Sequence, residues 1–310
     1  MLLEFMTLVI CVSTYNRNLS LIRCLKSINN LYVVSNIKIK IIVVDNSAKC
    51  NSFKPVKKLK KLFKYKIIQL HEKKRGIVYA RNRFLKRVKK INPKFICFFD
   101  DDCVVDRFWL KNVFKIIKST NAEIVTGPQI PLKKKSLNNL NLINYSKFFE
   151  KTYKEDTKRV NWAASNNVLL VYDIIKKHKL IFDKALNKFG VGEDQLFFSR
   201  LNNYGYKIYW SKNIKVFETI HRHRQNLSWL IRRSFRLGVL GHYIDINIHG
   251  KLVGFVVNYL KCIFYFTKAS VNIFLFFNNE SQTQLLNYFS RFYGRLVGPF
   301  VLKRIDFFRK

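Results

Sequence analysis

The amino-terminal half of the chain alternates between short apolar runs and longer stretches with apolar positions three and four apart. Leu8 to Val12 is an apolar run of strand length ending in the polar segment Ser13, Thr14, Tyr15, Asn16, Arg17. Leu19, Leu21, Ile22, Leu25 and Ile28 then share one side of a predicted helix closed by Asn29 and Asn30. Ile37 to Val44 is a second strand, ending at Asp45, Asn46 and Ser47. Lys54 to Lys66 forms a basic helix with Val56, Leu59, Leu62 and Phe63 on its apolar side, a charge run that by itself reads as a solvated face. Ile67 to Leu70 is a short strand, Gly76 opens a helix carrying Arg81 and Asn82, and Phe95 to Phe99 is a continuously apolar strand. Directly behind it stand Asp100, Asp101 and Asp102.

Strand, helix, strand, helix is the signature of a parallel sheet with right-handed crossovers. In such a sheet ligands gather outside the carboxyl ends of the strands, so STYNR, DNS and DDD are expected to meet at one cleft. Adjacent carboxylates repel one another unless something positive sits among them, and hard oxygen donors suit Mg²⁺ or Mn²⁺. Further along, Glu123 to Gly127 reads as a strand and the polar stretch from Lys133 to Asp156 as a mobile loop or extension. Asn161 to Val171 reads as a strand introduced by small and amide residues, and Phe189 to Arg200 as a glycine-flanked turn running into a helix.

The carboxyl-terminal part changes character. From Lys251 to Asn278 the chain is almost wholly apolar and aromatic, broken by Lys251, Asn258, Lys261, Lys268 and Asn272. On a helix those five fall within a stripe about 100° wide. Two mid-segment lysines argue against a free single span, and the expectation is a helix lying in the membrane interface with its lysines reaching headgroups. The resulting division is a domain over 1–245 and a basic, aromatic, membrane-associating helical segment over 246–310.

Composition sharpens the choice of partner. The 310 residues include 58 Lys and Arg against 19 Asp and Glu, a formal charge of +39. Such a balance calls for an anionic partner, either nucleic acid or an anionic membrane leaflet. Basic residues are spread along the whole chain, and no RNP, KH, zinc or basic-zipper pattern is present. Acidic residues also lie where a phosphate backbone would have to approach, so no nucleic acid is expected. The six cysteines show no CxxC pair and read as reduced core thiols. The amino terminus lacks a basic n-region and a cleavage site, so a first strand is expected there rather than a signal peptide.

The succession STYNR, VVDNS, GIVYARN, FFDDDCVVDRFW, SNNVLLV and GVGEDQLFFSRL resembles the inverting family 2 glycosyltransferases of the GT-A fold. The likeness runs from about Leu8 to Gly238 with six motifs in order. It implies an α/β fold, a Rossmann-like mixed sheet flanked by helices, followed by the amphipathic carboxyl-terminal segment. It further implies that Thr14, Tyr15, Asn16 and Asp45 bind the nucleotide base of a donor such as a UDP-sugar, Asp45 accepting from a ring NH. Gly76 and Arg81 match the stretch covering base and phosphates, where a guanidinium suits phosphate oxygens. Asp100 and Asp102 match the DxD motif, Asp102 being the direct ligand of a Mg²⁺ or Mn²⁺ on the donor diphosphate, while Asp101 faces ribose or holds the turn. Asp194 matches the catalytic base, Glu193 a hydrogen-bond acceptor for the incoming hydroxyl, and Ser165, Asn166 and Asn167 a segment near donor sugar and acceptor.

Two departures from the family pattern carry weight. Where many relatives have a metal-binding histidine, the counterpart by spacing is Thr219, and His221 is the candidate two residues on. Gln225 to Trp229 look like the QxxRW of processive synthases with serine in place of arginine, which points to transfer of a single sugar. Arg232, Arg233 and Arg236 follow on one helix and suit an anionic acceptor such as a lipid-linked pyrophosphate. The expected activity is metal-dependent inverting transfer to a lipid-linked or cell-surface glycan by a cytoplasmic protein, peripheral on the inner face of the cell membrane. The alternatives are transfer to polyprenyl phosphate itself and, in another class, basic nucleic-acid binding.

Overall fold

The computed structural model describes residues 5–34, 36–132, 153, 155–274 and 279–301. These form two compact units, the first over Met1–Ile130, Lys151–Asn187 and Glu193–Glu218, the second over Pro131–Glu150, Lys188–Gly192 and Thr219–Lys310. Most of the Lys133 to Asp156 stretch lies outside the described residues.

The first unit is built on four parallel strands: β1 (Met6–Thr14), β2 (Ile37–Asp45), β3 (Lys66–His71) and β4 (Phe95–Asp100), laid side by side in the order β3-β2-β1-β4. The sheet continues through β9 (Asn167–Val171), β6 (Ile124–Thr126), β10 (Ile208–Ser211) and β8 (Thr157–Val160), where antiparallel pairing enters at β9 and again at β8. A smaller sheet joins β5 (Cys103–Val105), β11 (Val216–Glu218) and β7 (Gln129–Pro131).

Helices cover both faces, which is why these strands are apolar without strict alternation. Leu8, Ile10 and Val12 face α1 (Asn18–Asn29), α2 (Phe53–Lys60) and α4 (Trp109–Thr120) through Leu21, Leu25, Val56, Trp109 and Val113. Val9 and Cys11 face α3 (Ile77–Ile91), α5 (Tyr172–His178) and α6 (Glu193–Asn203) through Val78, Phe84, Ile175 and Phe198. The predicted strands and the helices opened by Gly76 and Glu193 are all present with shifted ends; the strand expected over Asn161 to Val171 begins only at Asn167. Helix α4 and strand β8 have no predicted counterpart. Strand β8, Thr-Lys-Arg-Val at the sheet edge, offers no apolar run to read.

The second unit contains three long helices: α7 (Leu227–His249), α8 (Lys251–Phe274) and α9 (Asn279–Val301). The side chain of Asn226 caps α7 by accepting from Trp229 N at 2.8 Å. Gly238 on α7 and Gly294 on α9 bring the two backbones together so closely that a Cβ on either would overlap the other helix. Asp245 of α7, 3 % exposed, accepts from Arg295 Nη1 at 2.7 Å and from Lys261 Nζ at 2.6 Å. The division expected at 245 therefore falls elsewhere: Asp245 is a polar centre of the second unit, and α7 is packed with α8 and α9 rather than ending the sheet domain.

The predicted polar stripe of α8 also has a different meaning. Asn258 is fully buried and accepts from Arg295 Nη1 at 2.9 Å, and Lys261 pairs with the buried Asp245, so these two point inward, while Lys251 and Lys268 of the same stripe are exposed. The opposite side carries exposed Leu252, Val256, Leu260, Ile263, Phe266 and Phe274. By length and hydropathy α8 is, among the described residues, the one helix able to cross a membrane.

Candidate active site

In the register of the central strands, Ser13 lies beside Asp100 and Thr14 beside Asp45, so the polar ends of β1, β2 and β4 form one continuous edge. The convergence expected of STYNR, DNS and DDD is observed. What the side chains do there is set by how each carboxylate is satisfied.

Asp45 is 1 % exposed and accepts from Ser47 N at 2.7 Å, Ser47 Oγ at 2.6 Å and Ser52 N at 2.7 Å. Burial pushes its carboxyl up, but the hydrogen bonds from Ser47 and Ser52 outweigh that and hold it below the usual aspartate range. With both oxygens engaged in its own loop, Asp45 has almost no surface left for a ring NH; it builds the wall that the loop forms. Asn46, the middle residue of the DNS motif, ties that wall to the next loop: Nδ2 donates to the Glu72 and Lys74 carbonyls at 2.8 Å each and Oδ1 accepts from Gly76 N at 2.7 Å. Gly76 has φ 137°, and a Cβ there would overlap the Asn187 side chain. Tyr15 is partly exposed, with the Arg75 guanidinium 5.3 Å from its ring centroid, and Asn16 sits in the left-handed region at φ 55°, its Oδ1 accepting from Asn51 Nδ2 at 3.0 Å.

The aspartate triplet is divided between two arginines. Asp101, 3 % exposed, accepts from Thr14 Oγ1 at 2.7 Å and from Arg17 Nη1 at 3.1 Å; Asp102, 2 % exposed, accepts from the same nitrogen at 3.0 Å. Burial raises the Asp101 carboxyl more than Arg17 and Thr14 lower it. Asp100, the most exposed of the three, lies 3.4 Å from Arg81 Nη2. Arg81 is 4 % exposed and its Nη1 donates to Glu193 Oε1 at 2.6 Å. One guanidinium thus joins the triplet to the acidic amino terminus of α6.

At that terminus Glu193 is 7 % exposed. Burial raises its carboxyl; Arg81 pulls it down and Asp194 pushes it up, and the net shift is upward. Asp194 is only half-buried, accepting from Gln195 N at 2.7 Å and Ser165 N at 3.4 Å, where the helix dipole favours its charge. Beside it, Glu193 Oε2, Asn166 Oδ1 and Ser165 Oγ are buried with no hydrogen-bond partner, an arrangement that interiors avoid unless a ligand or water completes it. Asn167 is different: fully buried, it accepts from Trp109 Nε1 at 2.7 Å and donates to the Pro128 and Ile214 carbonyls at 3.0 and 2.8 Å, so it holds strands together rather than facing a substrate. His221 belongs to the second unit, its ring stacked 5.7 Å from that of His223.

The donor set has the chemistry a hard divalent cation needs. Asp100, Asp101, Asp102, Glu193 and Asp194 are five carboxylates set about Arg17 and Arg81. Among the described residues no three His, Cys, Asp or Glu side chains are grouped to hold a metal by themselves.

Comparison with known proteins decides the family. The model of glycosyl transferase family 2 matches residues 9–175, more than half of the chain and all of the strands just described up to the start of α5. The chain belongs to glycosyltransferase family 2. A curated relative of this glycosyltransferase is the succinoglycan biosynthesis protein ExoM of Rhizobium meliloti (strain 1021), 28% identical over 255 residues, covering 81% of this chain and 76% of that one. Among solved structures, the mannosyltransferase PcManGT of Pyrobaculum calidifontis, in complex with GDP-Man and Mn²⁺, superposes with a TM-score of 0.63 at 13% identity over 96% of this chain and 88% of that one. S. aureus TarS 1–349 in complex with UDP-GlcNAc superposes with a TM-score of 0.54 at 17% identity over 79% and 68%. At these identities the structures establish the GT-A fold of the family 2 enzyme.

Proposed function

We propose that this glycosyltransferase moves one sugar from a nucleotide-sugar, a UDP-sugar in the first instance, to a hydroxyl of a lipid-linked or cell-surface glycan, with inversion and with a divalent cation. The observation that carries the reading is the Arg81 bridge, which couples Glu193, next to the half-exposed Asp194, to Asp100 of the triplet. Asp194 takes the proton of the acceptor hydroxyl as that oxygen attacks the anomeric carbon. The bond from that carbon to the diphosphate oxygen breaks, its electron pair leaves with the nucleoside diphosphate, and the configuration inverts. Glu193 accepts a hydrogen bond from the acceptor through Oε2, and Arg81 keeps it oriented. A cation held by Asp100 and Asp102 together with the diphosphate would neutralise the charge that develops on the leaving group. Thr14, Tyr15, Asn16 and the loops tied by Asp45, Asn46 and Gly76 hold the nucleoside. PcManGT with GDP-Man and Mn²⁺ and TarS with UDP-GlcNAc support a nucleotide-sugar donor, and ExoM supports a polysaccharide acceptor.

The apolar outer side of α8 and the charge of +39 support attachment to an anionic membrane on its inner face. In this reading the apolar side enters the lipid, while Lys261 stays with Asp245 rather than reaching a headgroup.

Transfer measured with a nucleotide-sugar panel is expected to stop in EDTA and return with Mn²⁺. In Asp194→Asn it is expected to fall by about 10²- to 10⁴-fold with nucleotide binding retained. Undiminished turnover in Asp194→Asn would remove the base assignment. Flotation with phosphatidylcholine vesicles, strengthened when phosphatidylglycerol is included, is the expected membrane result; no flotation with either defeats that part of the reading.

A further inference from the structure

Arg17 stands directly after the turn at the end of β1, and its contact with the triplet has an unusual form. A guanidinium that fastens a carboxylate commonly sets two nitrogens against two oxygens of one partner. Here a single nitrogen, Nη1, lies 3.1 Å from Asp101 Oδ1 and 3.0 Å from Asp102 Oδ2, bridging two carboxylates as a small cation does. Both aspartates are nearly inaccessible, whereas the Arg17 side chain is 32% exposed and has room to turn away.

We infer that Arg17 is an internal counter-cation for the triplet, held beside Asp101 and competing with free divalent metal for Asp102, which it releases only when a nucleoside diphosphate arrives with the metal. The inference rests on the reading that this cleft holds a metal–diphosphate pair. Its physical basis is charge exchange. Entry of a bare dication places it against a guanidinium bound to the same oxygens, and like charges at that range oppose each other strongly in a part-buried site. A diphosphate changes the balance, because it brings negative charge and oxygen acceptors that suit a displaced guanidinium. Arg17 is thus a positioning residue that makes metal and nucleotide binding mutually dependent, and reciprocity requires that each strengthen the other by the same factor.

The test measures Mn²⁺ binding directly, by electron paramagnetic resonance of the free ion, with Mn²⁺ alone and with Mn²⁺ plus UDP or GDP. For the wild type, nucleotide is expected to tighten Mn²⁺ binding about tenfold or more, the effect of roughly one unit charge removed from beside the site. Arg17→Gln is expected to bind Mn²⁺ alone about tenfold more tightly than wild type and to lose most of the coupling to nucleotide. Equal Mn²⁺ affinity of wild type with and without nucleotide overturns the inference without any variant, as does an Arg17→Gln protein that binds Mn²⁺ alone no better than wild type. Asp102→Asn separates this failure from that of the underlying reading. If wild type takes up Mn²⁺ with nucleotide and Asp102→Asn does not, the metal site stands and only the role of Arg17 is at stake; if Asp102→Asn binds as wild type does, the site assignment itself falls.

Discussion

The buried pair Arg81–Glu193 makes a demanding prediction because its two halves are unequally provided for. Their contact is 2.6 Å and both side chains are over nine-tenths buried, so solvent screening is slight. Replacing Arg81 with Met leaves Glu193 without its paired cation and beside the Asp194 charge, and removing one partner of such a pair costs about 3–5 kcal/mol. Replacing Glu193 with Gln leaves Arg81 still 3.4 Å from Asp100, so the cost is expected to be smaller, about 1–2 kcal/mol, closer to the loss of one hydrogen bond to a charged group. The two variants also differ in pH response. Glu193 is already raised in the folded protein, and without Arg81 it rises further. A folded acid with a raised pKa contributes stability that is fully present below its unfolded value and is lost as pH rises through the folded value. The deficit of Arg81→Met relative to wild type should therefore grow with pH once pH passes the already raised wild-type value of Glu193, with a slope approaching about 1.4 kcal/mol per pH unit until Glu193 ionises in the variant. Urea unfolding of both single variants and the double variant, followed by tryptophan fluorescence between pH 5 and pH 8, measures cost, slope and coupling together. A deficit in Arg81→Met that is independent of pH, or no larger than that of Glu193→Gln, would refute the reasoning.

Two further perturbations probe the walls of the cleft. Gly76→Ala forces a Cβ into Asn187 at φ 137°, and a cost of about 1–3 kcal/mol in thermal unfolding, with weakened UDP binding by calorimetry, is expected. Unchanged stability and affinity would show that the loop relaxes freely. Asp45→Asn removes one of the accepting oxygens that hold Ser47 and Ser52 and is expected to cost about 2–3 kcal/mol at neutral pH. Here the sign is opposite to Glu193: the wild-type advantage is present above the ordinary aspartate value and disappears as pH falls through the lowered folded value, so the two melting curves should converge only in acid.

What could be read from the sequence and what could not divides along the range of the interactions. The strands Met6–Thr14 and Phe95–Asp100 are legible because continuous apolar runs need no partner to identify them, and the triplet is legible because it stands at the end of one. The family motifs located Asp194 on the same grounds. The groups that organise these residues are separated from them by long stretches of chain: Arg17 from Asp101 by 84 positions, Arg81 from Glu193 by 112, Asn46 from Gly76 by 30. Each falls in a motif, Arg17 in STYNR, Arg81 in GIVYARN and Asn46 in VVDNS, but a motif does not record which distant buried group the side chain meets. Asp45 shows the converse error: its place in a motif is legible, but the serines that occupy its oxygens act through backbone geometry that the motif does not record.

Helix α8 shows the same limit in a form that alters the functional picture. Five polar residues within a stripe specify the helical period correctly whichever way the stripe faces, and local sequence contains no term for direction. Direction comes from Asp245 and Arg295 on the neighbouring helices, which give Asn258 and Lys261 partners worth more than water at those positions. With the middle of the polar side, Asn258 and Lys261, satisfied inside the unit and Lys251 and Lys268 exposed, the apolar side is the outer one, with Leu252, Val256, Leu260 and Ile263 exposed. A lysine stripe reaching for headgroups would weaken steeply with salt. Attachment through this apolar side should instead keep most of its strength when salt is raised, leaving only the contribution of the general positive charge to be screened.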